Sequence, residues 1–289
     1  MTFDLCVVGH VTTDFVEIDG KTQGAMPGGT AYYTSMALRS LGLHVAVITR
    51  LSDHDRALLL GGFETAGIRV FVGASRQTTV FENMYARDNM DSRFQRVRSV
   101  ASPFSCDDLD GRSASIFHIG PLTNGDITAD LLEAAAAKGQ LISLDVQGCL
   151  RDVSQGTVRL IDWPEKEKGL AFVDILKTDE EEAWILTGET ELHRAAVRLA
   201  EIGPKEVIIT RGSQGALILA NHEVHTIPAY PVRAVIDPTG CGDTFMAGYL
   251  SERLRSHDIT RAGRFAAYLA SLKLERWGAL QESDLTRGA

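Results

Sequence analysis

The nine residues Asp237-Pro238-Thr239-Gly240-Cys241-Gly242-Asp243-Thr244-Phe245 hold the strongest chemical signal in this chain of 289 residues. Gly240 and Gly242 flank one small residue. Met246, Leu250 and Leu254 then recur every four positions, so the turn opens directly into a buried helix. The unpaired N–H groups of a first helical turn point at whatever lies beyond it, and glycines let a ligand approach the backbone closely. A phosphate suits such a place. Asp243 runs against that preference, because a carboxylate repels a neighbouring phosphate; a base aimed at a substrate hydroxyl would be a chemical use for it. The same residues would also make a plain capping turn, with Asp and Thr satisfying helix N–H groups and glycine permitting the bend.

Other polar residues fall where ligands gather. Gly28-Gly29 directly precedes a helix beginning at Thr30, and a double glycine either lets the chain pass close to a ligand or joins loop to helix. Asp14 follows the first strand; its carboxylate either accepts from two neighbouring hydroxyls or faces solvent. Asp145 to Arg151 closes a strand with polar groups, at the strand end where parallel sheets bind ligands. Asp179 to Glu182 sets four acids at a helix start, as the macrodipole favours.

Several signals fail on spacing. Gly20-Lys21-Thr22 resembles the end of a P-loop, but Phe15 occupies the position of the required earlier glycine. Arg211 to Gly215 misses a nucleophile elbow by one residue. No Gly-x-Gly-x-x-Gly follows a strand, which weakens a dinucleotide-binding dehydrogenase. His10 and His118 at strand ends read as packing or hydrogen-bonded residues, and the eight histidines show no metal-ligand pairing. Cys6, Cys106, Cys149 and Cys241 are too scattered for a zinc knuckle or disulfide framework and read as free thiols.

These residues need a frame to hold them. Apolar runs at 3–9, 44–49, 114–119, 141–146 and 206–211 read as buried strands. Helical patterns lie between them at about 29–41, 54–66, 128–138, 179–187 and 191–202, which predicts a mainly parallel sheet covered on both faces. Residues 12–27 and 76–98 instead alternate apolar and polar, as half-exposed antiparallel strands do, and together suggest a small β lid. The charged stretch Trp163 to Gly169 reads as a solvated turn or helix start. A β pair is expected at 216–219 and 223–227, and a last helix at about 260–276 presents Phe265, Leu269 and Leu272 on one face.

Bulk properties set the limits. A hydrophobic fraction of 44% supports a full core, and no apolar run approaches the ~20 residues needed to cross a bilayer. The start, Met1-Thr2-Phe3-Asp4, lacks the basic and apolar regions of a secretion signal, so the expected compartment is the cytoplasm. A net charge of −9 argues against nucleic acid or an anionic membrane as partner. A phosphorylated ligand remains allowed, since local N–H groups and arginines act within a Debye length of about 8 Å.

The segment Asp237 to Asp243 resembles the signature of the ribokinase-like, or PfkB, family of carbohydrate and nucleoside kinases, usually Asp-Thr-x-Gly-Ala-Gly-Asp, with proline for the first threonine and cysteine for the alanine. The resemblance continues in order through Asp14, Gly28-Gly29, Asp145 to Arg151, Asp179 to Glu182 and Thr210 to Gly215. It departs from the family at Gln147 and Asp179, where asparagine is usual, and at Arg211, where many relatives carry a small or apolar residue.

The resemblance implies a three-layer α/β/α fold spanning 1–289 as one kinase domain, with a lid that in some members forms a dimer contact. It implies Asp243 as catalytic base and Gly240, Cys241 and Gly242 as an anion hole. Asp14, Gly28, Gly29 and Asp237 would bind substrate; Arg151, Thr210, Gly212 and Gly215 would bind phosphate or nucleotide. Asp179 and Glu182 would hold magnesium, chiefly through water. ATP, Mg2+ and a monovalent cation such as K+ are the implied cofactors, and the Cys241 thiol is expected to ionise more easily at the helix terminus. Short matches at Asp145 to Gln147, Leu150-Arg151 and Thr78 to Glu82 resemble the myo-inositol kinase branch, which ranks a cyclic polyol ahead of a sugar and a nucleoside. The apolar and aromatic lid residues Phe81, Met84, Tyr85 and Phe94 face a nucleoside ring or pack the lid sheet. A ligand sensor without turnover on the same fold is the alternative from another class.

Overall fold

Strand β1 (Phe3–Val8) shows how the main sheet is built: Leu5 and Val7 point to one face, Cys6 and Val8 to the other, and all four are buried. A strand covered on both sides needs apolar residues in succession rather than in alternation. The computed structural model describes residues 2–86, 89–138 and 141–285. After β1 come β2 (Thr12–Ile18), β3 (Lys21–Gly28), α1 (Thr30–Ser40), β4 (Val45–Leu51), α2 (Arg56–Ala66) and β5 (Arg69–Ala74). Next are β6 (Val80–Ala86), β7 (Asn89–Ser99), β8 (Ala114–Ile119), α3 (Ala129–Ala136) and β9 (Leu141–Asp145). The middle of the chain holds β10 (Arg151–Ser154), β11 (Thr157–Leu160), α4 (Lys166–Leu170), β12 (Ile175–Asp179), α5 (Glu180–Thr187) and α6 (Leu192–Ile202). The last part holds β13 (Glu206–Thr210), β14 (Ala216–Ala220), β15 (Glu223–Ile227), α7 (Cys241–Arg253), α8 (Ile259–Leu274) and α9 (Glu282–Leu285).

Nine strands form the main sheet in the order β15-β14-β13-β12-β9-β8-β1-β4-β5. It is parallel from β13 to β5 and antiparallel at β14 and β15. One hydrophobic cluster packs α1, α2, α7 and α8 on one face through Leu38, Phe63, Leu250 and Leu269. A second packs α3, α4, α5 and α6 on the other through Leu132, Leu170, Leu186 and Leu199. This is the expected three-layer arrangement. Strands β5 and β12 were not apparent from the pattern, β5 because it is an edge strand of half-exposed residues and β12 because its apolar run is cut short by Lys177. Trp163 is buried and packs its ring on Gly169, so the charged stretch around it is the start of a docked helix rather than a solvated turn.

The lid is larger than expected. Its six strands run β10-β11-β7-β6-β2-β3, adding a hairpin at 151–160 to the two predicted stretches, and β2 pairs with β6 in parallel rather than antiparallel fashion. Residues 87 and 88 of the predicted 76–98 stretch lie outside the described residues. Among the described residues, no helix is long and apolar enough to cross a membrane.

Candidate active site

The carboxyl ends of β9, β12 and β13 and the start of α7 meet at one cleft of about 840 Å³, roofed on one side by lid residues Tyr85 and Gln95. A cavity of that size suits a small ligand with its co-substrate. Asp243 stands in the first turn of α7, half-buried and on the cleft wall, beside Gly240, Cys241 and Gly242. Thr244 closes that turn, both its N–H and its hydroxyl donating to the Gly240 carbonyl at 2.9 and 2.8 Å. Gly240 has φ 75°, and a Cβ there would lie 2.1 Å from Cγ of Tyr33, so both conformation and space demand glycine. The Tyr33 hydroxyl is held well above the usual tyrosine range, first by burial and then by the nearby carboxylates of Asp237, Asp14 and, more weakly, Asp243. One buried ring thus stands among these three acids.

Beside Gly242 sits a cation to which the sequence pattern assigned no role. Lys177, buried in β12, pairs with Asp145 Oδ2 at 3.0 Å, and its Nζ would be 3.4 Å from a Cβ on Gly242. Burial opposes its charge, but Asp145, Glu182 and Asp179 outweigh burial and raise its pKa above the ordinary lysine value. A lysine inside an otherwise apolar strand, just before an acidic run, was the available signal. Its partner lies 32 residues away, and spacing alone could not name it.

Arg151, Thr210, Gly212 and Gly215 all line the same cleft. Arg151 is buried at the start of β10. Thr210 donates its hydroxyl to the Thr178 carbonyl at 3.3 Å, tying β13 to β12. Arg211 turns to the rim, where its guanidinium meets Glu180 at 3.0 Å and Gln214 at 2.6 Å.

Asp179 and Glu182 also reach the cleft, but their first task is a capping box. The Asp179 N–H donates to Glu182 Oε2 at 2.9 Å, and the Glu182 N–H donates to Asp179 Oδ1 at 2.8 Å. Burial pushes the Glu182 carboxyl up to about 7, with Lys177 pulling the other way. Among the described residues, no three His, Cys, Asp or Glu side chains gather as a protein-only metal site would.

The residues that line the cleft do not include Asp14, Gly28 or Gly29. Asp14 is buried, accepting from the Thr12 hydroxyl at 2.6 Å and from Asn83 at 3.3 Å; Asn83 in turn accepts from Gln95 at 2.7 Å. A Cβ on Gly28 would fall 2.4 Å from the Asp14 carboxylate, which explains that glycine by close approach. Gly29 is the N-cap of α1, with φ 83°.

Two expectations need correction. Asp237 is wholly buried, its carboxylate bonded to Lys273 at 2.9 Å and to the Thr239 N–H at 2.9 Å, so it braces the loop rather than meeting substrate. The Cys241 thiol does not ionise easily: burial pushes it up to about 11, and it sits 3.7 Å from the Ala270 carbonyl. The four cysteines are free, as expected. His10 and His118 prove to be packing residues. His10 stacks on Phe104 and bonds the Ser102 carbonyl, and burial lowers His118 to about 4.

The family model for pfkB family carbohydrate kinases matches residues 2–284. A cytidine kinase of Thermococcus kodakarensis is 25% identical over 95% of this chain and 97% of its own. A ribokinase of Bacillus subtilis is 35% identical over 96% of this chain and 94% of its own. A pyrophosphate-dependent kinase of the ribokinase family, solved as a sulfate complex, superposes with a TM-score of 0.90 at 29% identity, covering 98% of this chain and 99% of that one. A pyrophosphate-dependent kinase of the ribokinase family complexed with a pyrophosphate analog and myo-inositol gives a TM-score of 0.87 at 28% identity, over 98% and 99%.

Proposed function

The chain belongs to the pfkB family of carbohydrate kinases, and we propose that it moves a terminal phosphoryl group to a hydroxyl of a small cyclic polyol or sugar, with Asp243 as the base. One observation carries this reading: Asp243 and the Gly240–Gly242 loop share a cleft wall with Lys177 on one side and lid residues on the other. Amide hydrogens at a helix start and a buried ammonium together stabilise charge on a transferring phosphoryl group. An aspartate near a helix N-terminus is a weak base. That suffices when the transition state is loose, because little proton transfer is needed until the new bond is well advanced.

The acceptor side is polar. Gln95 on the wall, backed by Asn83 and Asp14, offers donors and acceptors to a ring of hydroxyls, which supports a polyol or sugar ahead of a nucleoside. The donor side ends in Val235, Ala267 and Leu274. A nucleobase would cover this apolar end and pyrophosphate would leave it wet, so ATP is the donor we infer. The likeness to pyrophosphate-dependent kinases makes pyrophosphate the comparison to run beside it. Magnesium fits as a donor-borne ion: it needs few protein ligands, and Asp179 and Glu182, which line the cleft, would meet it through water. When bound, it would neutralise charge on the donor phosphates.

The test is a matrix of ATP and pyrophosphate against myo-inositol, pentoses, hexoses and nucleosides, with phosphorylated product measured directly. Turnover of a polyol or sugar supports the reading. Turnover confined to nucleosides would replace the acceptor, turnover confined to pyrophosphate would replace the donor, and binding without product would remove the reaction from the site.

A further inference from the structure

Lys273 occupies a core position of α8. It lies four residues after Leu269 and seven after Ala266, on the buried stripe, and it is fully buried. Its ammonium donates to the Asp237 carbonyl at 2.9 Å, to Asp237 Oδ2 at 2.9 Å and to the Arg276 carbonyl at 3.4 Å. The Tyr33 ring centre is 5.6 Å from it. Two carbonyls and a carboxylate around a single positive charge are the ligand set that a hard monovalent cation takes from protein oxygen.

The cage lies under the anion loop. Asp237 Oδ1 fixes the Thr239 N–H at 2.9 Å, and Oδ2 also accepts from the Gly278 N–H at 3.3 Å. The Ile236 N–H reaches the Leu274 carbonyl at 2.7 Å. The end of α8 thus holds the strand of chain that leads into Gly240, and Gly240 rests on Tyr33. An added K+ does not fit here, since the Asp237 oxygens that would take it already hold the lysine.

We propose that Lys273 is a built-in monovalent cation that keeps the loop from Asp237 to Gly240 in its anion-binding shape, so that this protein needs neither K+ nor Na+. The effect on turnover rests on the kinase reading; the effect on the loop does not. Lys273 is a positioning residue, acting through Asp237 and touching neither reactant. Burial lowers its pKa and Asp237 works against that, so the pair keeps its charge only while both members are present.

The experiment compares wild type and Lys273→Ala in buffers whose ionic strength is held with tetramethylammonium chloride and then exchanged stepwise for KCl, NaCl or NH4Cl. Thermal midpoint and phosphoryl transfer are read together. For wild type, both should stay within about twofold in rate and about a degree in midpoint across the series. For Lys273→Ala, K+ or NH4+ should raise the midpoint saturably and restore a rate reduced by about tenfold or more, whereas tetramethylammonium should do neither. Strong activation or stabilisation of wild type by K+ would overturn the proposal, as would a folded Lys273→Ala that no small cation rescues. If Lys273→Ala does not fold, the wild-type series still decides. If no donor and acceptor pair gives turnover, the kinase reading fails, while the thermal midpoints alone still support or overturn the role of Lys273.

Discussion

Lys177 and Gly242 are neighbours in space: the ammonium of one ends 3.4 Å from the place a Cβ would take on the other, while Asp145 holds it at 3.0 Å. A buried charge of this kind affects stability and function differently. Lys177→Met should cost about 3–5 kcal/mol, because it strands the Asp145 carboxylate, and should lower kcat/KM by roughly a hundredfold. Pairing it with Asp145→Asn should return most of the stability and little of the activity. Urea unfolding and steady-state kinetics on the double variant separate the two effects; wild-type turnover there would show Lys177 to be structural only.

Asp243→Asn keeps the size of the side chain and removes the proposed base. Turnover should drop by about a thousandfold or more while donor KM changes by less than about threefold. Parallel binding and rate measurements check this, and an unaltered rate would dismiss Asp243 from proton transfer.

Gly240→Ala asks a left-handed residue to carry a side chain that meets the Tyr33 ring. The expected loss is at least about 2 kcal/mol, with weakened donor binding. Calorimetry on this variant, with Gly61→Ala as a control at an unobstructed helical site, gives the comparison. Equal midpoints would mean the loop does not hold this shape.

The lid sheet meets the loop before α7 through Tyr85, whose hydroxyl lies 3.2 Å from Thr239 Oγ1. Tyr85→Phe should loosen the lid without disturbing the base. Acceptor KM should rise by about two- to tenfold, and donor hydrolysis in the absence of acceptor should increase. Hydrolysis that stays at the wild-type level would argue that the lid does not close through this contact.

Glu182 supplies a pH test. Its pKa is raised from 4.5 to about 7, so between those values the folded chain binds more protons than the unfolded one. Stability from this residue is therefore present at low pH and falls as pH rises, with the full cost reached above about 7. Glu182→Gln retains an acceptor for the capping box and cannot ionise. Its stability advantage over wild type should grow between about pH 5 and pH 8, to a limit on the order of 3 kcal/mol. A constant difference across that range would place Glu182 in its ordinary ionised state throughout.

Much of the frame was readable in the residue pattern, because the inner strands of the main sheet are buried on both faces and the helices packed on them carry apolar residues towards it. The glycine turn was readable for a different reason: close backbone approach leaves few alternatives to glycine. What escaped were the long-range pairings. Lys177 meets Asp145 across 32 residues and Lys273 meets Asp237 across 36, and periodicity reports which face a residue takes without naming what waits there. Asp237 accordingly reads as a ligand contact in the sequence, when its partner is a helix lysine. Cys241 reads from the helix terminus alone, whereas burial decides its ionisation.

The lid draws its hairpins from 12–28, 80–99 and 151–160, stretches separated by β4 and β5 and then by β8 and β9 of the main sheet. Each hairpin is local, but the pairings that join them, β2 with β6 and β7 with β11, reward the chain only after distant loops have closed. The lid sheet should assemble late during folding and exchange its amide hydrogens early from the native state. Under the proposed function this sheet would part and rejoin at each turnover, and it is also the part whose opening would leave the main sheet and its two hydrophobic clusters paired and packed.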